Sequence, residues 1–281
     1  MKTKILLPII VLITIASCFI FGNCGGGGGG KDSIIVEQKP LNLTVLLDLS
    51  DRLERVLTPS QMERDTAIVN YLVKQFQYEC TKNKNLLQCK NAMRVLFYPT
   101  PQISDVANLA NNLDIDLAKC QYAEKKRALV DMPQNFKESL AAIYDKTLQQ
   151  KQWVGSDIWG FFSNNKVDQY CIKQDYRNVV VILTDGFLYD KYNKQNQNGN
   201  EYSYLLPQTL NVENSKLIVK RQGLENLEVL MLEVNPYDPT KSELQIKILQ
   251  DWFNAMGVDK TVITETSLPN TTRTLIDNCV N

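Results

Sequence analysis

The chain has 281 residues, enough for one sizeable domain with a substantial core, and its 31 basic residues balance 31 acidic ones. The basic residues are not gathered into one stripe, which argues against a nucleic-acid-binding surface. Histidine is absent from the sequence, and this excludes Ser-His-Asp and Cys-His catalysis as well as His-ligated zinc.

Residues 1–24 are typical of an export signal, because a positively charged start precedes an apolar run that is short for a membrane span. The residues after this run resemble the processing site of bacterial lipoproteins, where a cysteine after a small-residue box receives lipid. Cys18 follows the better box, whereas Cys24 follows a poorer one but directly precedes a run of glycines. We expect either cysteine to carry the lipid. The alternatives are an ordinary secretory signal that is cleaved, or a retained anchor helix that extends through Phe21.

Residues 25–40 are predicted to be a glycine-rich tether and a polar leader. We therefore expect an exported protein that is lipid-anchored to a bacterial cell membrane, at the outer membrane or the cell surface rather than the cytoplasmic membrane. Export places the later cysteines in an oxidising compartment, where they can pair. Cys80 and Cys89 flank a polar stretch between a predicted helix and a predicted strand, a position that suits a local disulfide; the alternative is two small buried apolar side chains.

From residue 41 onwards, strand-like and helix-like patterns alternate. Apolar runs predict strands at 42–48, 93–98, 178–186, 227–234 and 261–264. Helical spacing is seen between them, with Thr58 as the expected cap of the first helix and a mostly helical region over 103–150. The alternation predicts an α/β domain over 41–281, with a doubly wound, mostly parallel sheet and helices on both faces.

Two of the predicted strands end in acidic and hydroxyl residues. The run LNLTVLL stops at Asp48 and is followed by Ser50, and the strand at 178–186 ends in Thr184-Asp185-Gly186. In open α/β sheets the carboxyl ends of the strands form the crevice where ligands bind, so we expect these two loops to converge. The turn Gly155-Ser156-Asp157 provides a third loop. The alternative for the first cluster is a simple turn, in which Asp and Ser bond to their own backbone.

This arrangement resembles the von Willebrand factor A-like fold and its metal-ion-dependent adhesion site. That site comprises an Asp-x-Ser-x-Ser loop after the first strand, a Thr in a loop before a helix, and an Asp-Gly after the fourth strand. The matching positions are Asp48-Leu49-Ser50, then Ser156 or Asp157, then Thr184-Asp185-Gly186. The resemblance covers most of the exported chain. It implies Mg²⁺ or Mn²⁺ held by oxygen ligands from Asp48, Ser50, Ser156, Asp157 and Asp185, with a coordination position open to a partner's carboxylate.

Arg52 departs from this pattern, since it stands where the final Ser is expected. An arginine has five donors and no acceptor, so it cannot ligate a cation. Two interpretations stay open. Either Arg52 points away and Asp51 or Asp157 completes the coordination, or its guanidinium replaces the metal by pairing with Asp48 or Asp185.

A long polar segment over 188–206 follows the Asp185 loop, with Asn198-Gly199 as a predicted hairpin turn. Because it should rise beside the same crevice, we expect its tyrosines to contact a partner: Tyr189, Tyr192, Tyr202 and Tyr204. A solvated hairpin without a partner is the alternative.

The sequence thus predicts a membrane-tethered lipoprotein that binds another protein and is not an enzyme. A metal-dependent phosphate hydrolase is one alternative, because Asp-x-Ser and a distant Thr-Asp-Gly also resemble acid-phosphatase-like sites. Ser50 stands where those sites need a second acid, so an aspartyl-phosphate mechanism would lack its general acid. A structural domain that has lost its metal site is the other alternative.

Overall fold

Strands and helices alternate along the chain. The computed structural model describes residues 38–101, 104–150, 155–188, 195–210, 215, 217–219, 223–236 and 238–280, all within one compact unit, Gln38–Asn281. The strands are β1 (Leu41–Leu47), β2 (Ala92–Leu96), β3 (Asp114–Asp116), β4 (Arg177–Leu183), β5 (Gln195–Gln197), β6 (Asn200–Tyr202), β7 (Leu227–Val234) and β8 (Lys260–Glu265). The helices are α1 (Gln61–Thr81), α2 (Ser104–Asn111), α3 (Tyr122–Gln150), α4 (Ile158–Ser163), α5 (Lys166–Cys171), α6 (Pro207–Leu210), α7 (Ser242–Ala255) and α8 (Pro269–Val280).

Six of the strands form one sheet in the order β3-β2-β1-β4-β7-β8. All neighbours are parallel except β3, which pairs antiparallel with β2 at the edge. The predicted α/β fold with a mostly parallel sheet is therefore confirmed. The chain builds outwards from β1 through β2 to β3 and then returns to place β4 on the other side of β1. This reversal makes the gap between β1 and β4 the switch point of the sheet, where ligands of such folds bind.

Two apolar cores lie on opposite faces of the sheet, because successive side chains of each strand point to opposite faces. One core joins Leu43 and Val45 of β1 to large residues of the helices α1, α3 and α8. The other joins Leu46 to Phe162 of α4 and Trp252 of α7. The helices therefore cover both faces of the sheet. A crevice is expected at the carboxyl ends of its strands.

One local prediction, the cap of the first helix, was wrong. Helix α1 begins after Ser60 rather than after Thr58, because Ser60 and Glu63 form a reciprocal capping box. The carboxylate of Glu63 accepts from the Ser60 backbone N–H at 2.8 Å, and the Ser60 hydroxyl accepts from the Glu63 N–H at 3.3 Å. The mostly helical region also contains the edge strand β3, which is too short to produce a periodic sequence signal.

Several predicted features lie outside the described residues. They are the export signal with Cys18 and Cys24, most of the tether, and Tyr189 and Tyr192. No helix in the part of the chain that the structure describes combines the length and the hydropathy needed to cross a membrane.

Candidate functional site

The first and last predicted loops meet at the switch point. Asp48 directly follows β1 and is 2% exposed. Its Oδ1 accepts a hydrogen bond from the backbone N–H of Ser50 at 2.8 Å, which forms the turn expected of an Asp at a strand end. Its Oδ2 accepts from the hydroxyl of Thr184 at 2.8 Å, and Thr184 directly follows β4. Asp48 therefore stabilises the turn of its own loop and also links that loop, by a hydrogen bond, to the residue after β4.

Asp185 lies beside this contact and faces two donors. Its Oδ1 accepts from the backbone N–H of Phe187 at 3.3 Å, and its Oδ2 lies 3.3 Å from Nη2 of Arg55. Gly186 adopts φ +97°, a conformation that side chains disfavour, and a Cβ there would lie 2.5 Å from Nε2 of Gln245. The tight turn after β4 thus depends on glycine at this position.

The third loop lies at the same edge of the sheet but is bonded to other elements. The backbone N–H of Asp157 donates to the carbonyl of Tyr98, which follows β2, at 3.0 Å. The Asp157 carboxylate accepts from the N–H of Gly160 at 2.7 Å and so caps α4. Ser156 is buried, with 6% of its surface exposed. In this loop, Asp157 serves as a helix cap, a role that turn chemistry alone explains.

Arg52 points into the crevice, although the sequence left its direction open. Its guanidinium is 1% exposed and pairs with Asp65 of α1, with Nη2 2.6 Å from Oδ2 and Nη1 3.4 Å from Oδ1. Nε donates to the backbone carbonyl of Asp48 at 3.0 Å and lies 3.6 Å from the Asp48 carboxylate. Asp65 also accepts from the hydroxyl of Tyr144 at 2.8 Å and from Nε2 of Gln61 at 2.9 Å.

Sequence reasoning missed two buried acids, Asp65 beside Arg52 and Glu233 beside Arg64, although the sequence contains a signal for each of them. Asp65 is a charged residue in helical register with the apolar stripe of α1, and Glu233 is an acid inside the apolar strand β7. Both side chains are buried. Glu233 is paired with Arg64, whose Nε and Nη2 lie 2.7 Å and 3.0 Å from the carboxylate. A charge at a position that the pattern assigns to the core must find a partner, so it marks a buried ion pair.

Burial and the charges of neighbouring carboxylates shift the pKa values of two groups in the crevice, Asp185 and Arg52. Burial and, to a smaller extent, the charge of Asp48 together raise the pKa of Asp185 to about 7, against the opposing effect of Arg52 and Arg55. Burial disfavours the charged form of Arg52, but Asp65 and Asp48 outweigh this and raise its pKa, so that Arg52 is charged at neutral pH. The crevice therefore contains two arginine charges, Arg52 beside Asp48 and Arg55 beside Asp185.

The residues present do not fit a divalent cation well. A metal ion bound to Asp48 would lie against the fixed guanidinium of Arg52, and the second expected carboxylate, Asp185, is already paired with Arg55. Among the described residues, no group of three or more acidic, cysteine or histidine side chains is arranged to hold a metal. The Mg²⁺ or Mn²⁺ expected from the sequence therefore stays a prediction that a titration must test.

The predicted hairpin is present beside the crevice. Strands β5 and β6 pair antiparallel across Asn198 and Gly199, which adopt φ +54° and +79° as a two-residue hairpin turn requires. Tyr202 and Tyr204 are half-buried, and their rings pack edge to face at 5.7 Å, while Tyr204 packs on Phe187 at 5.8 Å. Because Phe187 follows Asp185 closely, this aromatic cluster lies next to the Asp185 loop.

Comparisons with known proteins give distant matches. Two crystal structures of the pilus adhesin SpaC from Lactobacillus rhamnosus GG match, one of them in an open conformation. Both are 12% identical to this chain, with TM-scores of 0.42 and 0.41. Each match covers 87% of this chain but only 30% of the adhesin, so the chain spans less than a third of the adhesin's length. No protein-family model matches the sequence, and no curated protein matches it either.

Proposed function

We propose that this chain is a von Willebrand factor A-like domain that binds a protein partner at the carboxyl edge of its sheet. The observation that carries the proposal is the convergence of the first and last predicted loops at the switch point, through the hydrogen bond between Thr184 and Asp48. The strand order, with its reversal between β1 and β4, supports the fold. The proposal includes no catalytic step.

The rim of the crevice has the composition of a protein-binding surface. Val56 lies in the loop after β1 and is 99% exposed, and Leu268 lies in the loop after β8 and is 76% exposed. Both loops are at the carboxyl edge, and the hairpin adds the half-buried rings of Tyr202 and Tyr204. Apolar and aromatic side chains around a buried polar centre suit recognition of another protein.

Photo-crosslinking in cells that produce the protein tests this surface. A photoreactive amino acid at Val56 should capture a distinct protein partner. The matched control is the same amino acid at Leu87, which is 64% exposed but lies between α1 and β2 at the opposite edge of the sheet. Capture of the same partner from both positions, or of none from Val56, would contradict the proposal.

We also propose that the domain is displayed at the cell surface by a lipid on Cys18 or Cys24, on the grounds of the signal sequence alone. Metabolic labelling with a fatty acid should mark the protein. Replacing both cysteines by serine should abolish the label, whereas the single replacements identify the acylated position. Labelling that persists in the double variant would refute lipid anchoring.

The disulfide expected between Cys80 and Cys89 is not formed in the structure, where the described cysteines are free thiols. The two thiols nevertheless hydrogen-bond to each other, and this contact lowers the pKa of Cys89 to about 7. The same hydrogen bond, together with burial, raises the pKa of Cys80. We propose that this pair becomes a disulfide after export by exchange with an external disulfide: the Cys89 thiolate attacks it and releases one thiol, and Cys80 then displaces the second, so that the external disulfide is reduced to two thiols.

A further inference from the structure

Arg52 is a buried cation, and each of its three side-chain nitrogens has an acceptor. The residue is 1% exposed, and its two terminal nitrogens face both oxygens of Asp65, which is fully buried. The third nitrogen donates to the carbonyl of Asp48. An arginine paired in this two-pronged manner is held in direction as well as in distance.

Three separate elements hold this ion pair in place. Arg52 lies on the short turn Asp51–Glu54 after β1, Asp65 lies on α1, and Tyr144 of α3 donates to Asp65. Gln61, the first residue of α1, donates to the other Asp65 oxygen at 2.9 Å. Withdrawal of the guanidinium would leave the Asp65 charge buried without a counter-ion, which is strongly unfavourable.

The guanidinium also lies beside a carboxylate that the resemblance assigns to metal binding. Nε is 3.6 Å from Oδ2 of Asp48, the carboxylate oxygen that Thr184 also bonds. The Asp48 carboxylate therefore has a positive charge beside it and accepts a hydrogen bond from a hydroxyl group. Arg52 thus places beside Asp48 the positive charge that a divalent ion would otherwise supply.

We infer that Arg52 is the resident cation of this crevice, and that the crevice engages its partner without a metal ion. The inference rests on the proposed function for the existence of a partner. Its metal-binding consequence does not, because it can be measured on the protein alone.

The experiment is a calorimetric titration of Mn²⁺ and Mg²⁺ into the full chain, carried to about 10 mM, which is an order of magnitude above the weakest dissociation constants of extracellular metal modules. The test variant combines Arg52→Ser with Asp65→Asn, which supplies the missing hydroxyl and removes the stranded charge together. The matched control combines Arg52→Ala with Asp65→Asn, which removes the same charges but supplies no ligand. Circular dichroism verifies that each variant is folded.

We expect no saturable heat from the wild-type protein, and saturable Mn²⁺ binding by the serine variant at least tenfold tighter than by the alanine control. Saturable wild-type binding that Asp185→Ala abolishes would overturn the inference. A folded serine variant that binds no metal would also overturn it. If neither variant folds, the inference is tested by the wild-type titration and by a second measurement, photo-crosslinking with and without metal. Photo-crosslinking from Val56 should be equally efficient in Mg²⁺ and in EDTA, and a loss in EDTA would refute metal-independent binding.

The two proposals fail in different ways. A crevice without any partner gives no crosslink from Val56 in either buffer but leaves the metal titrations as expected. A crevice that uses a metal ion gives wild-type heat whether or not the partner has been found.

Discussion

The ion pair between Arg52 and Asp65 should behave as a strongly coupled unit in folding. The two groups are 1% and 0% exposed and 2.6 Å apart, so removing one leaves the other buried without its counter-ion. Such a loss costs about 3–5 kcal/mol of unfolding free energy. The loss for Asp65→Asn should lie at the lower end of this range, because Arg52 keeps Asp48 as a counter-ion. Arg52→Met should be at the upper end, since Asp65 keeps only the hydrogen bonds from Tyr144 and Gln61.

The double variant removes both charges and should lose no more than the costlier single variant, which implies a coupling free energy of at least about 3 kcal/mol. Urea unfolding followed by far-ultraviolet circular dichroism measures all four corners of this cycle, provided that the m-value stays constant. The matched control is the pair Arg127 and Asp131, whose side chains are 86% and 47% exposed. Its variants should leave stability nearly unchanged, because solvent screens exposed pairs. A loss below about 1 kcal/mol for Arg52→Met would refute the reasoning that this arginine is a fixed internal cation.

Further expectations concern the thiols, the pH dependence and the turn after β4. Oxidation of Cys80 and Cys89 should add about 2.7 kcal/mol of stability through closure of a loop of about ten residues, so reduction should lower the Tm of the wild-type protein but not that of the double serine variant. Because the folded-state pKa of Asp185 is about 7, above its ordinary value of 3.8, this carboxyl should stabilise the fold at low pH and lose its contribution as the pH rises from 4 to 7. The Tm of Asp185→Asn relative to wild type should therefore rise across that range, and a flat difference would contradict the assignment. Gly186→Ala should destabilise the protein more than Gly199→Ala, since both glycines have positive φ but only a Cβ at Gly186 meets a neighbouring side chain. Equal losses in thermal unfolding would show that the close contact at Gly186 relaxes without cost.

Local sequence patterns predicted those parts of the molecule that depend on neighbouring residues. The apolar runs identified the main strands, because a strand buried on both faces needs apolar residues at consecutive positions. The Asn198-Gly199 turn was also predicted correctly, since few dipeptides adopt positive φ at both positions. The helix start at Ser60 was missed because Thr58 and Ser60 are both good caps, and only the actual bonds to Glu63 distinguish them.

The sequence by itself determined that Asp48 and Asp185 would lie at strand ends of a mostly parallel sheet, because that follows from residue patterns within each strand. Only the tertiary structure decided what those carboxylates bond to. The partner of Arg52 lies 13 residues away along the chain, and the Tyr144 hydroxyl that completes the pair lies a further 79 residues on, a distance at which no local pattern acts. Whether a strand-end aspartate meets a metal ion or a guanidinium depends on which distant side chain the packing of α1 and α3 brings to it, and here packing brings the acid that fixes Arg52 in the crevice.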